Sequence, residues 1–183
     1  MLALGTPAPA FSLTDGNGKR FALPDFAGSK GLLVAFICNH CPYVRHILDG
    51  FVEFAREYGP KGLAIVAINP NDANTRPEDS RENMVRIAAE KGFNFPYLID
   101  ETQAVAKAYQ AVCTPDFFLF DAARRLAYRG QFDASRPGNG SPVTGGDLRA
   151  AVDSLFAGRL IGKQTPSIGC SIKWKPGQAP EWA

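Results

Sequence analysis

Hydrophobic and polar positions follow two patterns along the chain: continuous apolar runs and apolar residues at helical spacing. The continuous runs are typical of strands buried in a sheet, and they predict strands at 31–38, 63–69, 95–100 and 116–120. Apolar residues at intervals of three and four are typical of amphipathic helices, and they predict helices at 42–58, 101–110 and 147–156. Because strands and helices alternate, the pattern predicts an α/β fold with a central mixed sheet and helices on both faces.

Turn-forming residues predict the remaining connections. The sequence Asp-Gly-Asn-Gly at 15–18 separates two short apolar segments and predicts a β-hairpin, which forms a flap within an N-terminal extension over 1–30. A second hairpin is expected to join the strand at 116–120 to a strand at 126–132. The stretch 158–183 has scattered apolar residues among prolines and glycines, and we interpret it as an extended C-terminal tail that lies on the domain.

One further helix is predicted from its end signals. Thr75 and Glu78 have the spacing of a capping box, with Pro77 between them. A helix is therefore expected to begin there and to continue to about Lys91, where Gly92 would end it.

The composition and charge of the chain mainly exclude classes of structure and partner. With 45% hydrophobic and 21% charged residues, the 183 residues suit a single folded domain over 1–183. The net charge of +2 offers little attraction for nucleic acid, so we expect no such partner. Since no apolar run is long enough to cross a bilayer and the first residues lack the pattern of a signal peptide, we expect no membrane association and a cytoplasmic location.

Four cysteines are too few for a disulfide scaffold, and two of them form the motif Cys38-Asn39-His40-Cys41. This motif lies where a buried strand is predicted to end and a helix to begin. The N-terminus of a helix stabilises an anion and so lowers the pKa of a nearby thiol. Two cysteines at this spacing can close a small disulfide ring, which predicts two-electron thiol chemistry without a cofactor.

A structural zinc site is the alternative interpretation of the motif. In that case Cys38 and Cys41 would supply half of the ligands, and Cys113 and Cys170 the other half. The spacing favours redox chemistry, because Cys113 and Cys170 are single residues far apart in the sequence rather than a second close pair.

The strand-CxxC-helix unit and the pair Thr114-Pro115 before a strand resemble the thioredoxin-like superfamily. The opening GTPAPAFSLTDGNGKRFAL, the CNHCPY motif, the segment GFNFPYLIDETQAVAKAYQAVCTPDFFLFD and the ending GCSIKW are similar to the peroxiredoxin-like redoxin subgroup related to alkyl hydroperoxide reductase and thiol-specific antioxidant proteins. The resemblance covers nearly the whole chain. It implies a thioredoxin-like fold and a redox-active cysteine pair.

The chain departs from the peroxiredoxin pattern at the residues that polarise peroxide. The attacking cysteine of the motif P-x-x-x-T-x-x-C would be Cys41, which places Cys38 at the threonine and Val34 at the proline. The arginine that completes such a site would fall near Pro115. Without positioned donors for the breaking O–O bond, peroxide reduction is expected to be slow.

The chain also departs from thioredoxins, which carry a buried carboxylate six residues before the first cysteine. Leu32 stands at that position, so proton transfer must use His40, water or another group. His40 occupies the position of the histidine in protein disulfide isomerase and DsbA, and the resemblance implies that it favours the reduced thiolate.

Four residues outside the motif are candidate site residues. The resemblance implies that Pro115 is a cis proline facing the cysteines and that the backbone of Thr114 is free to pair with a bound peptide. Cys113 is either a third redox cysteine or a buried thiol. Cys170 could resolve a mixed disulfide if the tail folds over the site, or it could simply pack.

The sequence thus predicts a thiol-disulfide oxidoreductase acting on a protein or small-molecule disulfide, with peroxide as a further candidate substrate. Cys38 is expected to be the more exposed thiol and to attack, and Cys41 to resolve the mixed disulfide. Two alternatives stay open: a weak thiol peroxidase in which Cys41 attacks, and a noncatalytic redox sensor or metal-binding protein on the same fold.

Overall fold

The computed structural model describes residues 2–162 and 164–182. In this part of the chain the strands are β1 (Ser12–Asp15), β2 (Arg20–Ala22), β3 (Gly31–Phe36), β4 (Leu63–Asn69), β5 (Tyr97–Ile99), β6 (Cys113–Thr114), β7 (Asp116–Asp121), β8 (Leu126–Gly130) and β9 (Cys170–Ser171). The α-helices are α1 (Pro42–Tyr58), α2 (Arg81–Lys91), α3 (Ala104–Ala108) and α4 (Gly146–Phe156). Among the helices of these residues, none is long and apolar enough to span a membrane.

Seven strands form one mixed sheet in the order β2-β1-β5-β4-β3-β7-β8. β3 pairs in parallel with β4, and β4 with β5, whereas β7 runs antiparallel to both β3 and β8. The mixed sheet predicted from the sequence is therefore confirmed. The N-terminal hairpin differs from the expected flap, because β1 pairs with β5 and the hairpin extends the sheet at its edge.

The central strands separate two apolar clusters because successive side chains point to opposite faces of a sheet. Leu33 and Ala35 of β3 face the cluster that is covered by α1, α2 and α4. Leu32 and Val34 face the second cluster, which includes residues of α3 and Ile172 of the tail. The prediction of helices on both faces is thus confirmed, and the tail contributes to one face.

The N-terminus of α2 lies further along the chain than predicted. Ser80 is the N-cap, and its hydroxyl accepts a hydrogen bond from the main-chain N–H of Asn83 at 3.4 Å. The predicted capping box of Thr75 and Glu78 is wrong, since the Thr75 hydroxyl instead donates to a main-chain carbonyl three residues earlier. A short 3-10 turn precedes α2, and it carries Asp79 into the interior. Gly92 ends the helix in the left-handed conformation, as predicted.

Candidate active site

The two motif cysteines lie between the end of β3 and the start of α1, as the sequence predicts. Cys41 is the N-cap of α1, and Pro42 is its first residue. The Cys38 Sγ lies 3.2 Å from the Thr114 Oγ1, and the Cys41 thiol donates to the Thr114 main-chain oxygen at 3.1 Å. The peptide bond between Thr114 and Pro115 is cis, in agreement with the resemblance. Two thiols and the Thr114-Pro115 segment therefore form one site, and both thiols are unbridged.

Asp79 holds the loop that carries the cysteines, and sequence reasoning missed it. One carboxylate oxygen accepts the main-chain N–H groups of Asn39 and His40, at 2.6 and 3.3 Å. The other contacts His40 Nδ1 at 2.6 Å and accepts the side-chain amide of Asn71 at 2.8 Å. The Asp79 side chain is completely buried. It therefore supplies the buried carboxylate that the strand lacks at Leu32.

The order of the strands could have predicted that the segment containing Asp79 lies near the cysteines. The carboxyl ends of two parallel strands, β3 and β4, meet at one edge of the sheet, so the polar loop after β4 is a neighbour of the cysteine loop. What the sequence does not show is which of its polar residues turns inward.

Asn39 connects this loop to the sheet. Its side-chain amide donates to the Glu78 main-chain oxygen at 2.9 Å, and its side-chain oxygen accepts the Tyr97 hydroxyl at 3.1 Å. Complete burial raises the pKa of Tyr97 well above its usual value, and the charge of Asp79 raises it further. Tyr97 therefore remains a neutral donor, which fixes Asn39 and with it the cysteine loop.

The surroundings of the two thiols favour ionisation of Cys41 over Cys38. The pKa of Cys41 is lowered, mainly by the hydrogen bond from Cys38, with further contributions from Cys170 and from the Val44 main chain at the helix N-terminus. Burial opposes this effect. The pKa of Cys38 is raised by the same hydrogen bond, by burial and by the charge of Asp79. Of the two thiols, Cys41 is therefore the one that ionises more readily, and its ionisation ends the hydrogen bond that the neutral Cys41 thiol donates to the Thr114 main-chain oxygen.

The structure overturns the expectation that Cys38 is the exposed cysteine. Cys38 is 2% exposed and Cys41 is 0% exposed, so solvent access selects neither thiol. The reason is the tail, because its strand β9 runs antiparallel to β6 and places Cys170 opposite Thr114. The expectation that the Thr114 backbone is free for a peptide is wrong for the same reason.

The covering segment, residues 164–175, is called the strap below. It is tied down on both sides of Cys170. On one side, the Ser167 hydroxyl donates to the Gly130 main-chain oxygen at 2.7 Å. On the other side, Ile172 is buried in the core, and the Lys173 main-chain N–H donates to the Asn71 side-chain oxygen at 2.8 Å.

The two remaining cysteines have different surroundings. The Cys113 thiol is buried and donates to the Pro115 main-chain oxygen at 3.5 Å, and burial raises its pKa. Cys170 is half-buried and packs against the cluster that contains Cys41. Burial, followed by the interaction with Cys41, raises the pKa of Cys170 to about 11. The structure therefore brings Cys170 into the site.

In the described part of the chain, one cluster could hold a metal ion: its ligand atoms, from Cys38, His40 and Asp79, lie within 4.8 Å of one another. Each of these ligand atoms already has a hydrogen-bond partner: the Cys38 thiol contacts Thr114, and the imidazole contacts the carboxylate. Hydrogen bonding accounts for this cluster. The metal-binding alternative required Cys113 and Cys170 as the other ligands, and neither belongs to this cluster.

Comparisons with known proteins identify relatives of this chain. The sequence profile of the AhpC/TSA family matches residues 4–129. The thiol-disulfide oxidoreductase ResA of Geobacillus kaustophilus is 30% identical over 120 residues, which cover 66% of this chain and 64% of ResA. The chain therefore spans just under two thirds of the length of this relative.

Solved structures show the same fold. The Sinorhizobium meliloti protein SMc02350 is similar over 97% of both chains, with 53% identity and a TM-score of 0.95. The thioredoxin domain of the thiol-disulfide oxidoreductase BVU-2223 from Bacteroides vulgatus is 24% identical, with a TM-score of 0.59 over 70% of this chain and 89% of that domain. This second likeness concerns the fold alone, which is thioredoxin-like.

Proposed function

Because this chain belongs to the AhpC/TSA family, we propose that it is a thiol-disulfide oxidoreductase in which Cys38 and Cys41 form the redox pair. The observation that supports this proposal most directly is the convergence of both thiols on Thr114 at the N-terminus of α1. The substrate is a disulfide of a protein or of a small molecule.

The lowered pKa of Cys41 and its position at the N-terminus of α1 favour Cys41 over Cys38 as the attacking residue. The Cys41 thiolate attacks one sulfur of the substrate disulfide, the substrate S–S bond breaks, and one substrate thiol leaves after taking up a proton. Cys38 then loses its proton and attacks the Cys41 sulfur. The Cys41 bond to the substrate breaks, the second substrate thiol leaves, and a disulfide between Cys38 and Cys41 remains. The substrate gains two electrons and the protein loses two.

Asp79 and His40 serve the second step. A carboxylate oxygen of the buried Asp79 lies within 4.8 Å of the Cys38 Sγ, and its charge holds the proton on Cys38 until the mixed disulfide has formed. His40 contacts the same carboxylate and is itself partly exposed, so it connects Asp79 with solvent. Together they replace the strand carboxylate of thioredoxins as the route for the proton.

Stopped-flow measurements on the reduced protein test this assignment. A small-molecule disulfide and hydrogen peroxide are compared for the wild type, Cys38→Ser, Cys41→Ser and the control Cys113→Ser. We expect the disulfide to react faster than peroxide, Cys41→Ser to abolish the first step, and Cys38→Ser to retain it. Loss of the first step only in Cys38→Ser would reverse the order of attack, and a wild type inert toward the disulfide would refute the activity.

A thiol peroxidase is the second candidate, and the ionisation of Cys41 favours it. Cys41 stands at the attacking position of the peroxiredoxin motif, and its pKa is lowered. The position of the peroxide-binding threonine holds Cys38, whose thiol is occupied by its contact with Thr114. A faster reaction with peroxide than with the disulfide in the stopped-flow comparison would give this candidate first place.

A further inference from the structure

The strap occupies the edge on which the two motif cysteines converge. The antiparallel pairing of β6 and β9 sets Cys170 opposite Thr114. Cys41 bonds to the Thr114 main-chain oxygen, so Cys41 and Cys170 are both neighbours of Thr114. Cys170 also packs against the apolar cluster that includes Cys41.

The close approach depends on Gly169. A Cβ added to this residue would lie 2.1 Å from the Thr114 main-chain oxygen and 2.6 Å from the Thr114 carbonyl carbon. Only glycine allows the strap to lie this near to the site. Gly169, the neighbour of Cys170, therefore lets the strap lie against the Thr114 main chain, to which Cys41 is hydrogen-bonded.

We propose that Cys170 is a third redox residue, which resolves the mixed disulfide on Cys41 by forming a disulfide between Cys41 and Cys170. This inference rests on the proposed disulfide exchange at Cys41. It goes beyond that exchange because it gives Cys41 two disulfide partners within the protein. One is Cys38, on the interior side, and the other is Cys170, on the strap.

The chemistry needs no reactant besides the substrate disulfide. After Cys41 has attacked, the Cys170 thiol loses its proton and its sulfur attacks the Cys41 sulfur. The Cys41 bond to the substrate breaks, and the substrate leaves as a protonated thiol. Attack by Cys38 on the Cys41 sulfur then transfers the disulfide to Cys38 and Cys41 and returns Cys170 as a thiol.

The charges around Cys170 suit a residue that acts second. Part of the raised pKa of Cys170 comes from its interaction with Cys41. That contribution requires a charge on Cys41, and it disappears once Cys41 is held in a mixed disulfide. The charges of Lys173 and Arg76 lower the pKa of Cys170 and remain in place. Cys170 thus ionises more readily at the stage at which it is needed.

Cys170 also has the access that the motif cysteines lack. Cys38 and Cys41 are buried, whereas Cys170 is half-buried. Of these three thiols, Cys170 is the one from which a disulfide could be passed to a large partner with the least displacement of the strap.

The test counts thiols released from an aromatic disulfide, dithiobis(nitrobenzoate), added in equimolar amount to the reduced protein. In Cys38→Ser, attack at Cys41 releases one thionitrobenzoate, and resolution by Cys170 releases a second. We expect two from Cys38→Ser and from Cys38→Ser/Cys113→Ser, but one from Cys38→Ser/Cys170→Ser. Peptide mapping under non-reducing conditions should find the disulfide between Cys41 and Cys170.

The outcomes separate this inference from the activity on which it rests. Release of one thionitrobenzoate from Cys38→Ser, with the label retained on Cys41, would refute the role of Cys170 and leave disulfide exchange intact. No release from the wild type would refute both. Peptide mapping of the wild type early in the reaction requires no variant, and a disulfide of Cys41 with Cys113 instead of Cys170 would also refute the inference.

Discussion

Replacement of Gly169 by alanine is the sharpest test of the strap as the cover of the active site. The new Cβ would lie 2.1 Å from the Thr114 oxygen and 3.0 Å from the Pro115 nitrogen, and both are backbone atoms that cannot turn aside. The strap must therefore retreat by about 1.3 Å to reach an ordinary contact of 3.4 Å. A displacement of this size breaks the hydrogen bonds between β6 and β9.

The cost follows from two effects. Insertion of a methyl group into a packed contact costs about 1–3 kcal/mol, and each main-chain hydrogen bond that is lost costs about 0.5–1.5 kcal/mol. With the loss of one such bond, the closed strap is destabilised by roughly 1.5–4.5 kcal/mol, so it opens about 10- to 1,000-fold more often, since about 1.4 kcal/mol corresponds to a factor of ten. Because Cys38 and Cys41 are buried under the strap, the rate of thiol modification should increase by the same factor.

The assay is the second-order rate at which the reduced protein reacts with dithiobis(nitrobenzoate), at a fixed pH, with circular dichroism to confirm the fold. Gly162→Ala is the matched control, because a Cβ on this tail glycine meets nothing within 4 Å, and it should leave the rate unchanged. Ser167→Ala offers a milder opening, since it removes one hydrogen bond to Gly130. Wild-type rates in Gly169→Ala, with the fold retained, would show that the strap does not control access.

Two other substitutions test the role of Asp79 beside the cysteine loop and the contribution of Asp133 to the stability of the protein at low pH. Asp79→Asn removes a charge that raises the pKa of Cys38, so the pKa of Cys38 should fall in an ultraviolet titration of the thiolate; an unchanged titration would contradict the proposed role of Asp79. Asp133→Asn should lower the free energy of unfolding by about 2–4 kcal/mol, because the Asp133 carboxylate accepts bonds from Ser135, Thr144 and Gly145, and bonds to charged groups contribute about 1.5–3 kcal/mol each. Burial raises the pKa of Asp133, but these bonds outweigh it and lower the pKa below its usual 3.8. The stabilisation is therefore complete above that value and is lost as the pH falls through the lower folded pKa, so urea unfolding of wild type and variant should converge at low pH.

Local patterns in the sequence were sufficient for most of the fold. The strand β3 is buried on both faces, so it leaves a continuous apolar run at 31–38. The helix α1 is buried on one face, so its apolar residues recur at intervals of three and four over 42–58. The position of Cys41 at the start of a helix followed from Pro42 in the same way. These features depend on residues close together in the chain.

The site itself depends on contacts between distant segments, which local patterns do not encode. Nothing in the sequence near Asp79 shows that its side chain binds the loop at 38–41, and the capping signals at Thr75 and Glu78 pointed to a helix start in the wrong place. The prediction that Cys38 is exposed relied on the helix alone. It failed because the register of β6 with β9, which sets Cys170 opposite Thr114, is specified by side chains far away in the sequence.

The late position of the strap in the chain has a consequence for biosynthesis. Thr114 leaves the ribosome about 55 residues before Cys170, which corresponds to roughly 3–11 seconds at synthesis rates of 5–20 residues per second. During that interval the nascent domain can form β3, α1 and β4, since their parallel pairing uses residues before position 70. Until the strap has emerged and paired with β6, Cys38 and Cys41 lack the cover that this pairing provides, so we expect the pair to react faster with thiol reagents in the nascent chain than in the folded protein.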